Sequence, residues 1–186
     1  MKTTRQWPQR GFTLIELLVV IALGSVLISL AAPSFTGMLG RKRVEGVAAE
    51  LGTDLQYARS EAVQRNARVR VVFGTDCYAI HVVGSTDATS CSALGTDAVA
   101  LKTVQVPSGQ TLAFVPAVSG TLFVEFDPVR GMALDPSGTV DMSGSVTVSG
   151  GGGAWQLRSL VTRVGRMKNC SPNASVPGFT SDCTTS

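Results

Sequence analysis

One stretch decides how this chain folds: residues 11–23 read Gly11-Phe12-Thr13-Leu14-Ile15-Glu16-Leu17-Leu18-Val19-Val20-Ile21-Ala22-Leu23. A polar, basic segment precedes this stretch, and no charged residue occurs from Leu17 to Gly40. The uncharged run is longer than the ~20 helical residues that a hydrocarbon core requires. The sequence therefore predicts an apolar helix of membrane-spanning length.

A carboxylate, Glu16, stands at the start of this run, where an unbalanced charge costs about 2.5–3.5 kcal/mol on insertion scales. A secretory signal peptide cut near Ala31-Ala32 is one alternative, but the apolar run is long for such a signal. If the chain is cut after Gly11 instead, Phe12 becomes a free amino terminus one helical turn from Glu16. That amine, or the amine of a neighbouring subunit, then balances the acid, which also lies at the positive end of the helix dipole.

The segment Gly11-Phe12-Thr13-Leu14-Ile15-Glu16 resembles the cleavage and methylation motif of type IV prepilins. The resemblance implies that a prepilin peptidase cuts after Gly11 and methylates Phe12, and that Glu16 acts in filament assembly. It also implies a single-pass protein of the bacterial inner membrane, with its head in the periplasm, which later enters a pilus or pseudopilus. Pro33 matches a proline that bends the helix in many pilins, and a proline within a helix removes a hydrogen bond.

Arg41-Lys42-Arg43 ends the apolar run. The residues that follow show helical spacing, so we predict an amphipathic helix to about Asn66. Its predicted apolar stripe is Val44, Val47, Ala48, Leu51, Leu55, Ala58 and Ala62. Its charged residues, Asp54 and Arg59 among them, are expected on the other faces.

From Ala67 onward the pattern changes to a period of two, which is typical of strands. The alternation runs as far as Phe73, and strands are predicted to follow at 78–83, 99–106, 111–115, 121–126, 131–135, 145–149 and 155–162, with the tetraglycine 150–153 as a hairpin turn. The predicted fold class is α+β, with a long N-terminal helix packed on an antiparallel β-sheet head. The predicted divisions are a leader at 1–11, a transmembrane and polymerisation helix at 12–40, its amphipathic half at 41–66, the head at 67–169 and a C-terminal tail at 170–186.

Residues 55–66 and the Val-rich strand after them resemble the helix-to-strand passage of the FimT/GspH group of minor pilins and type II secretion pseudopilins. The resemblance implies a subunit that assembles into, or primes, a pilus or a pseudopilus. Its implied partners are the prepilin peptidase, other pilin or pseudopilin subunits, an inner-membrane assembly platform and membrane lipid. Neither an enzymatic activity, a cofactor nor a metal site is predicted, because the single histidine and the absence of a nucleophile elbow leave no catalytic constellation.

The segment Gly165-Arg166-Met167-Lys168-Asn169-Cys170 resembles the Gly-Arg motif of FimT-type pilins, whose DNA-binding members carry a second arginine where this chain has Lys168. The alternative function is therefore uptake of double-stranded DNA in natural transformation. We expect Arg158 on the last strand, with Arg163, Arg166 and Lys168 in a mobile segment beyond it, to contact phosphates. The competing interpretation is a solvated basic edge that protects the last strand from aggregation.

Four cysteines are present, and an exported protein favours disulfides. The favoured pairing is the sequence-local one, Cys77 with Cys91 and Cys170 with Cys183, although others stay open. Arg68 and Arg70 could extend a basic surface, but we favour their pairing with Glu125 or Asp127 across the sheet, and His81 is expected to be a core residue. The net charge is +3, but Lys2, Arg5 and Arg10 of the leader account for the excess, so the mature chain is not a general polyanion binder.

Overall fold

The computed structural model describes residues 11–86, 88, 90–115, 123–134, 144–162 and 164–183, without the side chains of residues 31–34. One helix and nine strands follow in order: α1 (Leu14–Arg65), β1 (Val69–Phe73), β2 (Cys77–Val82), β3 (Val99–Gln105), β4 (Gln110–Val115), β5 (Phe123–Phe126), β6 (Ala133–Leu134), β7 (Gly144–Gly150), β8 (Trp155–Val161) and β9 (Met167–Cys170). The predicted α+β class is confirmed. The residues group into two compact units, which meet in sequence at Leu39 and Gly40 and are described separately.

The C-terminal end of α1 is fixed by Asn66, whose φ is 49°. This left-handed conformation, which asparagine tolerates better than most residues, lets the next amide turn back onto the helix. The amide of Ala67 donates to the carbonyl of Ala62 at 3.2 Å. The predicted end of the helix at about Asn66 is therefore confirmed.

The strands of the described residues form two antiparallel sheets. The first has the order β3-β2-β1-β5-β6 and the second the order β4-β7-β8-β9. Strand β9 was not predicted, because four residues with a single apolar side chain facing the core carry little periodic signal.

Both sheets contribute to one hydrophobic core beneath α1. The predicted stripe of α1 is buried in full, and it shares a cluster with Val71 of β1, Val148 of β7 and Leu157 of β8. The apolar stripe of the helix therefore packs on both sheets at once and joins them in a single core.

The first sheet is covered on its second face as well. Strand β1 is buried at every position. The prediction that its residues alternate between buried and exposed is therefore wrong. A smaller cluster lies on this second face, formed by Val72, Cys77, Ala79, Cys91 and Phe123.

The tetraglycine hairpin joins β7 to β8, as predicted. Gly151, Gly152 and Gly153 have φ values of 60°, 66° and 91°, which favour glycine. Gly150 meets the helix so closely that a Cβ there would stand 2.6 Å from Cγ2 of Val44. The glycines therefore set both the turn and its contact with α1.

Candidate functional site

The predicted processing site lies just before α1. Gly11, Phe12 and Thr13 precede the helix, and Phe12 is 84% exposed. The hydroxyl of Thr13 accepts a hydrogen bond from the amide of Glu16 at 3.2 Å, which is the geometry of an N-cap. The peptide bond between Gly11 and Phe12 is thus outside the helix, whereas leader residues 1–10 lie outside the described residues.

Glu16 occupies the first turn of α1. Within the described ranges its carboxylate has neither a hydrogen-bond donor nor a salt-bridge partner. The helix dipole favours a negative charge at this end. The partner for this acid is therefore not found within the described part of its own chain.

When the parts of α1 before and after residues 31–34 are counted as separate helices, no single helix in the described residues reaches the length and hydropathy of a membrane span. They are reached when Leu14–Leu30 and Phe35–Arg65, the two parts of α1 on either side of residues 31–34, are taken together. The side chain of Pro33 lies outside the described set, so its kink stays a prediction.

The predicted basic cluster lies at the edge of the second sheet. Arg158 on β8 opposes Cys170, and Leu160 opposes Lys168 on β9, so Arg158 and Lys168 are diagonal neighbours on the face turned away from the core. Arg158 Nε donates to Thr147 Oγ1 of β7 at 3.2 Å. Arg166 is exposed in the turn before β9, and Arg163 lies outside the described residues.

The segment that carries Arg166 and Lys168 is not the mobile arm that the sequence analysis predicted. The amide of Thr162 donates to the carbonyl of Arg166 at 2.9 Å, and Thr162 Oγ1 accepts from the amide of Arg166 at 3.1 Å. Strand β9 then pairs with β8 in register. Hydrogen bonds to β8 and to the residue after it therefore fix the positions of both cations.

Gly165 of the Gly-Arg motif has a structural reason for being glycine. Its φ is 70°, and a Cβ there would stand 3.1 Å from both Arg59 Cδ and the carbonyl oxygen of Gly131. Its own carbonyl accepts a hydrogen bond from Gln56 Nε2 at 3.0 Å. The turn is thereby attached to α1.

This attachment brings two further cations to the same corner, which the sequence analysis missed. Arg59 of α1 lies against Gly131 as well as Gly165, and Arg130 is exposed beside Gly131. Among the described residues no carboxylate pairs with Arg59, Arg130 or Arg166. No sequence signal places a helix residue beside the Gly-Arg turn, because this contact depends on tertiary packing.

Arg68 and Arg70 do not belong to this basic surface, because both bind Glu125 as predicted. Arg70 Nη2 lies 2.7 Å from Glu125 Oε2, and Arg68 Nη1 lies 3.3 Å from Oε1. The guanidinium of Arg70 also stacks 3.8 Å above the ring of Phe123. These charges stabilise the second face of the first sheet.

His81 is a core residue, as predicted. It is 1% exposed and opposes Arg70 in the first sheet. Burial, and secondarily the charge of Arg70, lower the pKa of His81 to about 4. The histidine is therefore neutral near pH 7.

Asp54 differs from the prediction that it faces solvent. It is 5% exposed, and it accepts hydrogen bonds at 2.7 Å from the hydroxyl of Tyr78 and from Lys102 Nζ. Burial raises the pKa of Tyr78, and the hydrogen bond to Asp54 adds to the rise. The hydrogen bond to Asp54 also raises the pKa of Lys102. A polar link between the helix and the first sheet replaces the expected solvated charge.

The structure pairs Cys77 with Cys91 and Cys170 with Cys183, the pairing that the sequence analysis favoured. The second bridge attaches the C-terminal tail beside β9, where Cys170 and Thr180 form a parallel bridge. Across the described residues, no group of His, Cys, Asp or Glu has the arrangement of a metal site.

A capped helix that follows an exposed Gly-Phe site, joined to an antiparallel head, defines a pilin-like subunit. The chain belongs to the family described as type II transport protein GspH, which matches residues 47–165. Residues 8–32 match the prokaryotic N-terminal methylation motif. This family consists of structural minor pilins and pseudopilins, which assemble with other pilins or pseudopilins, and the motif and helix fit a membrane-anchored subunit with a soluble head.

Three solved structures share the fold. The type IV minor pilin FimU of Pseudomonas aeruginosa is 18% identical, with 69% of this chain and 88% of that chain covered and a TM-score of 0.51. The minor pseudopilin EpsH of the Vibrio cholerae type 2 secretion system is 11% identical, with 70% and 98% covered and a TM-score of 0.51. Escherichia coli GspH is 13% identical, with 70% and 89% covered and a TM-score of 0.50.

Proposed function

We propose that this chain is a minor pilin or pseudopilin, inserted once in the bacterial inner membrane with its head in the periplasm. A prepilin peptidase removes leader 1–11 and methylates Phe12, and an inner-membrane assembly platform moves the subunit into a filament. Residues 12–40 anchor and polymerise the subunit, residues 41–66 carry the head at 67–169, and the tail at 170–186 is held by its disulfide. The protein is a structural subunit and not an enzyme.

The observation that carries this proposal is the arrangement of Phe12 and Glu16. The bond between Gly11 and Phe12 stands outside α1, and Glu16 has no partner within the described part of its own chain. In a membrane such an acid needs a cation. The methylated amine of Phe12 on a neighbouring subunit supplies that cation, so the pairing both balances the acid and orders the subunits.

The processing step is tested by expressing the full chain with and without a prepilin peptidase and determining the mass of its N-terminal peptide. We expect a peptide that begins with methylated Phe12 only when the peptidase is present. The Gly11→Val variant is expected to keep its leader. A mature chain cut after Ala31 or Ala32 would instead indicate an ordinary signal peptide.

The assembly step is tested with Glu16→Gln, which keeps the shape of the side chain and removes its charge. We expect normal processing and membrane insertion but loss of the subunit from sheared filaments. Glu45→Gln is the matched control, because Glu45 pairs with Arg41 and Lys42 of its own helix. Wild-type incorporation of Glu16→Gln would refute the assembly role.

The two machines are separated by the phenotype of a strain that lacks this chain. Loss of surface pili with normal secretion assigns the subunit to a type IV pilus. Loss of secreted proteins with normal pili assigns it to a type II secretion pseudopilus. FimU and EpsH, which share the fold, serve one machine each, so the fold is compatible with both.

A second candidate function is DNA uptake, favoured by the fixed positions of Arg158, Arg166 and Lys168. The three cations belong to one hairpin edge, and no carboxylate among the described residues pairs with them. Contacts from such an edge to phosphates are independent of base sequence and weaken as salt rises. Lysine in place of a second arginine keeps the charge but loses the bidentate phosphate geometry.

The DNA hypothesis is tested by gel shift with the detergent-solubilised full chain and duplex DNA at two salt concentrations. Arg166→Ala is expected to weaken binding several-fold and to reduce the salt slope by about 1. Arg68→Ala, which removes the same charge from the first sheet, is the control and is expected to change neither. No shift at low salt would refute DNA binding, and binding that survives Arg166→Ala with Lys168→Ala would refute this site alone.

A further inference from the structure

The β7–β8 hairpin packs on α1 at the point where the uncharged run ends. A Cβ at Gly40 would stand 3.2 Å from Trp155 Nε1, so the indole lies against the helix backbone there. Gly150, at the other side of the hairpin, meets Val44 one turn further along. The hairpin is therefore held at a fixed position along the helix, between residues 40 and 44.

That position corresponds to the polar surface of a bilayer. The uncharged run from Leu17 to Gly40 is longer than the ~20 helical residues that a hydrocarbon core requires. The last few residues of the run, and Trp155 beside them, thus reach the level of the lipid headgroups. The turn after strand β8 is attached to Gln56, about 24 Å from Gly40 along the helix.

The residues at this level suit a headgroup region. Trp155 is half-buried, and its indole N–H has no acceptor among the described residues. Tryptophan is enriched at membrane interfaces because its ring is apolar and its N–H is polar. Gly151, Gly152 and Ala154 are exposed, so the tip of the hairpin offers no bulky or charged side chain that would keep it from lipid.

Basic residues follow on the helix at the same level. Glu45 pairs with Arg41 at 3.4 Å and with Lys42 at 2.6 Å. Arg43 is exposed, and no acid pairs with it in the described residues. The cluster keeps an excess of positive charge, which attracts anionic headgroups.

We propose that Gly150–Trp155 forms a foot of the head that rests on the membrane surface, with the indole of Trp155 among the headgroups and Arg43 on an anionic phospholipid. This inference rests on the proposed membrane anchoring of α1, and it adds a second lipid contact made by the head itself. The occupant of this surface is anionic phospholipid of the membrane that holds the stem. Extraction of the subunit into a filament would then break this contact as well as withdraw the helix.

The fluorescence of Trp155 tests the proposal directly. The chain has two tryptophans, and Trp7 lies in the leader, so the full chain with Trp7→Phe reports Trp155 alone. It is reconstituted in vesicles of phosphatidylethanolamine and phosphatidylglycerol that contain lipid brominated either near the headgroup or deep in the chain. We expect lipid brominated near the headgroup to remove more than about half of the emission, and deeply brominated lipid to remove less.

A matched control moves the reporter to the far part of the head. Trp7→Phe with Trp155→Phe and Tyr57→Trp places the only indole at an exposed helix position about 25 Å beyond Gly40. We expect this reporter to be unquenched. Equal quenching of both reporters, or quenching of neither in vesicles that carry the protein, would overturn the foot.

Flotation of the same samples separates the two proposals. Chains that float with the vesicles while Trp155 stays unquenched refute the foot and leave the anchor intact, whereas chains that fail to float refute the anchor. Arg43→Gln is expected to reduce the quenching of Trp155 in the anionic vesicles and to leave it unchanged in phosphatidylcholine. An unchanged result in both lipids would overturn the role of Arg43.

Discussion

Helix α1 has two halves that carry similar apolar residues in different surroundings. Before residue 40 the large side chains are exposed, with Leu23 at 63% and Leu27 at 68%. After it, Val44, Leu51 and Leu55 are at most 1% exposed. The apolar stripe of the second half is buried against its own head, whereas the apolar side chains of the first half are exposed among the described residues.

The acids of the two halves show the same difference. Asp54 is buried and bonded to Tyr78 and Lys102 of the head, but Glu16 has no such partner in the described part of the chain. Asp54 therefore contributes to the folding of the head, whereas under the proposed function Glu16 contributes to assembly.

The largest effect is expected for Leu51→Ala. The side chain is fully buried between α1 and both sheets, so its truncation should lower the free energy of unfolding of the head by about 3–4 kcal/mol. Chemical denaturation of the detergent-solubilised chain, followed by Trp155 fluorescence in the Trp7→Phe background, measures this. Leu27→Ala is the control from the first half and should leave that free energy unchanged; equal losses would erase the distinction between the halves.

The pH dependence of stability is the next largest effect. The pKa of His81 is lowered to about 4 in the folded head from 6.5, so the unfolded chain takes up the proton first as pH falls. Stability should therefore decrease from about pH 6.5 towards pH 4, by roughly 3 kcal/mol at about 1.4 kcal/mol per pH unit. Above about pH 6.5 His81 is neutral in both the folded and the unfolded chain, so this loss of stability is absent there.

Denaturation curves at several pH values measure this loss, with His81→Gln as the comparison. We expect His81→Gln to remove most of the slope between about pH 6.5 and about pH 4. Glu16→Gln, a change in the first half of α1, should leave the slope intact. A slope that depends on Glu16 rather than His81 would contradict the assignment to the head.

A smaller effect is expected for Asp54→Ala, which leaves the buried hydroxyl of Tyr78 without its acceptor. The free energy of unfolding should fall by about 2 kcal/mol, as for other hydrogen bonds to charged groups. Glu16→Ala should leave head stability unchanged while removing the subunit from filaments. If Glu16→Ala destabilised the head, the division of the two acids between folding and assembly would be wrong.

The smallest effect is a gain. Gly46 lies within α1, and a Cβ there would meet no atom within 4 Å, so Gly46→Ala should raise head stability by about 0.5–1 kcal/mol. Gly24→Ala is equally free of contacts but lies in the first half, and it should leave head stability unchanged. The same denaturation assay measures both, and a gain from Gly24→Ala would show that the halves are coupled.

Much of the fold was predictable, because the pattern of α1 is local. Charge, apolar spacing and the change from helical to alternating period are properties of neighbouring residues, and they located the helix end and most strands. The number of sheets and the pairing of β9 were not predictable in this way. Strand β9 is short, and it is stabilised by hydrogen bonds to β8 rather than by a pattern of its own.

The candidate sites divide in the same way. Gly11, Phe12 and Glu16 are recognisable from one short contiguous segment, whereas the corner of Arg59, Gly131 and Gly165 joins three distant segments. Arg70 resembles a surface cation in the sequence, yet it is buried against Phe123 and Glu125 because a second cluster covers that face of the sheet. The sequence alone therefore does not show whether a single charged residue is exposed or buried, because that depends on which elements cover its face of the sheet.

The sequence alone determined that this chain carries a prepilin-like motif and an apolar helix whose second half needs a sheet. Those conclusions rest on hydrophobicity and on 3.6-residue and two-residue periods, which depend only on local order along the chain. The tertiary structure decided that two sheets share the helix, that Asp54 is bonded within the head, and that Trp155 lies beside Gly40. Each of these depends on contacts between residues far apart in the sequence, which packing brings together and no local period encodes.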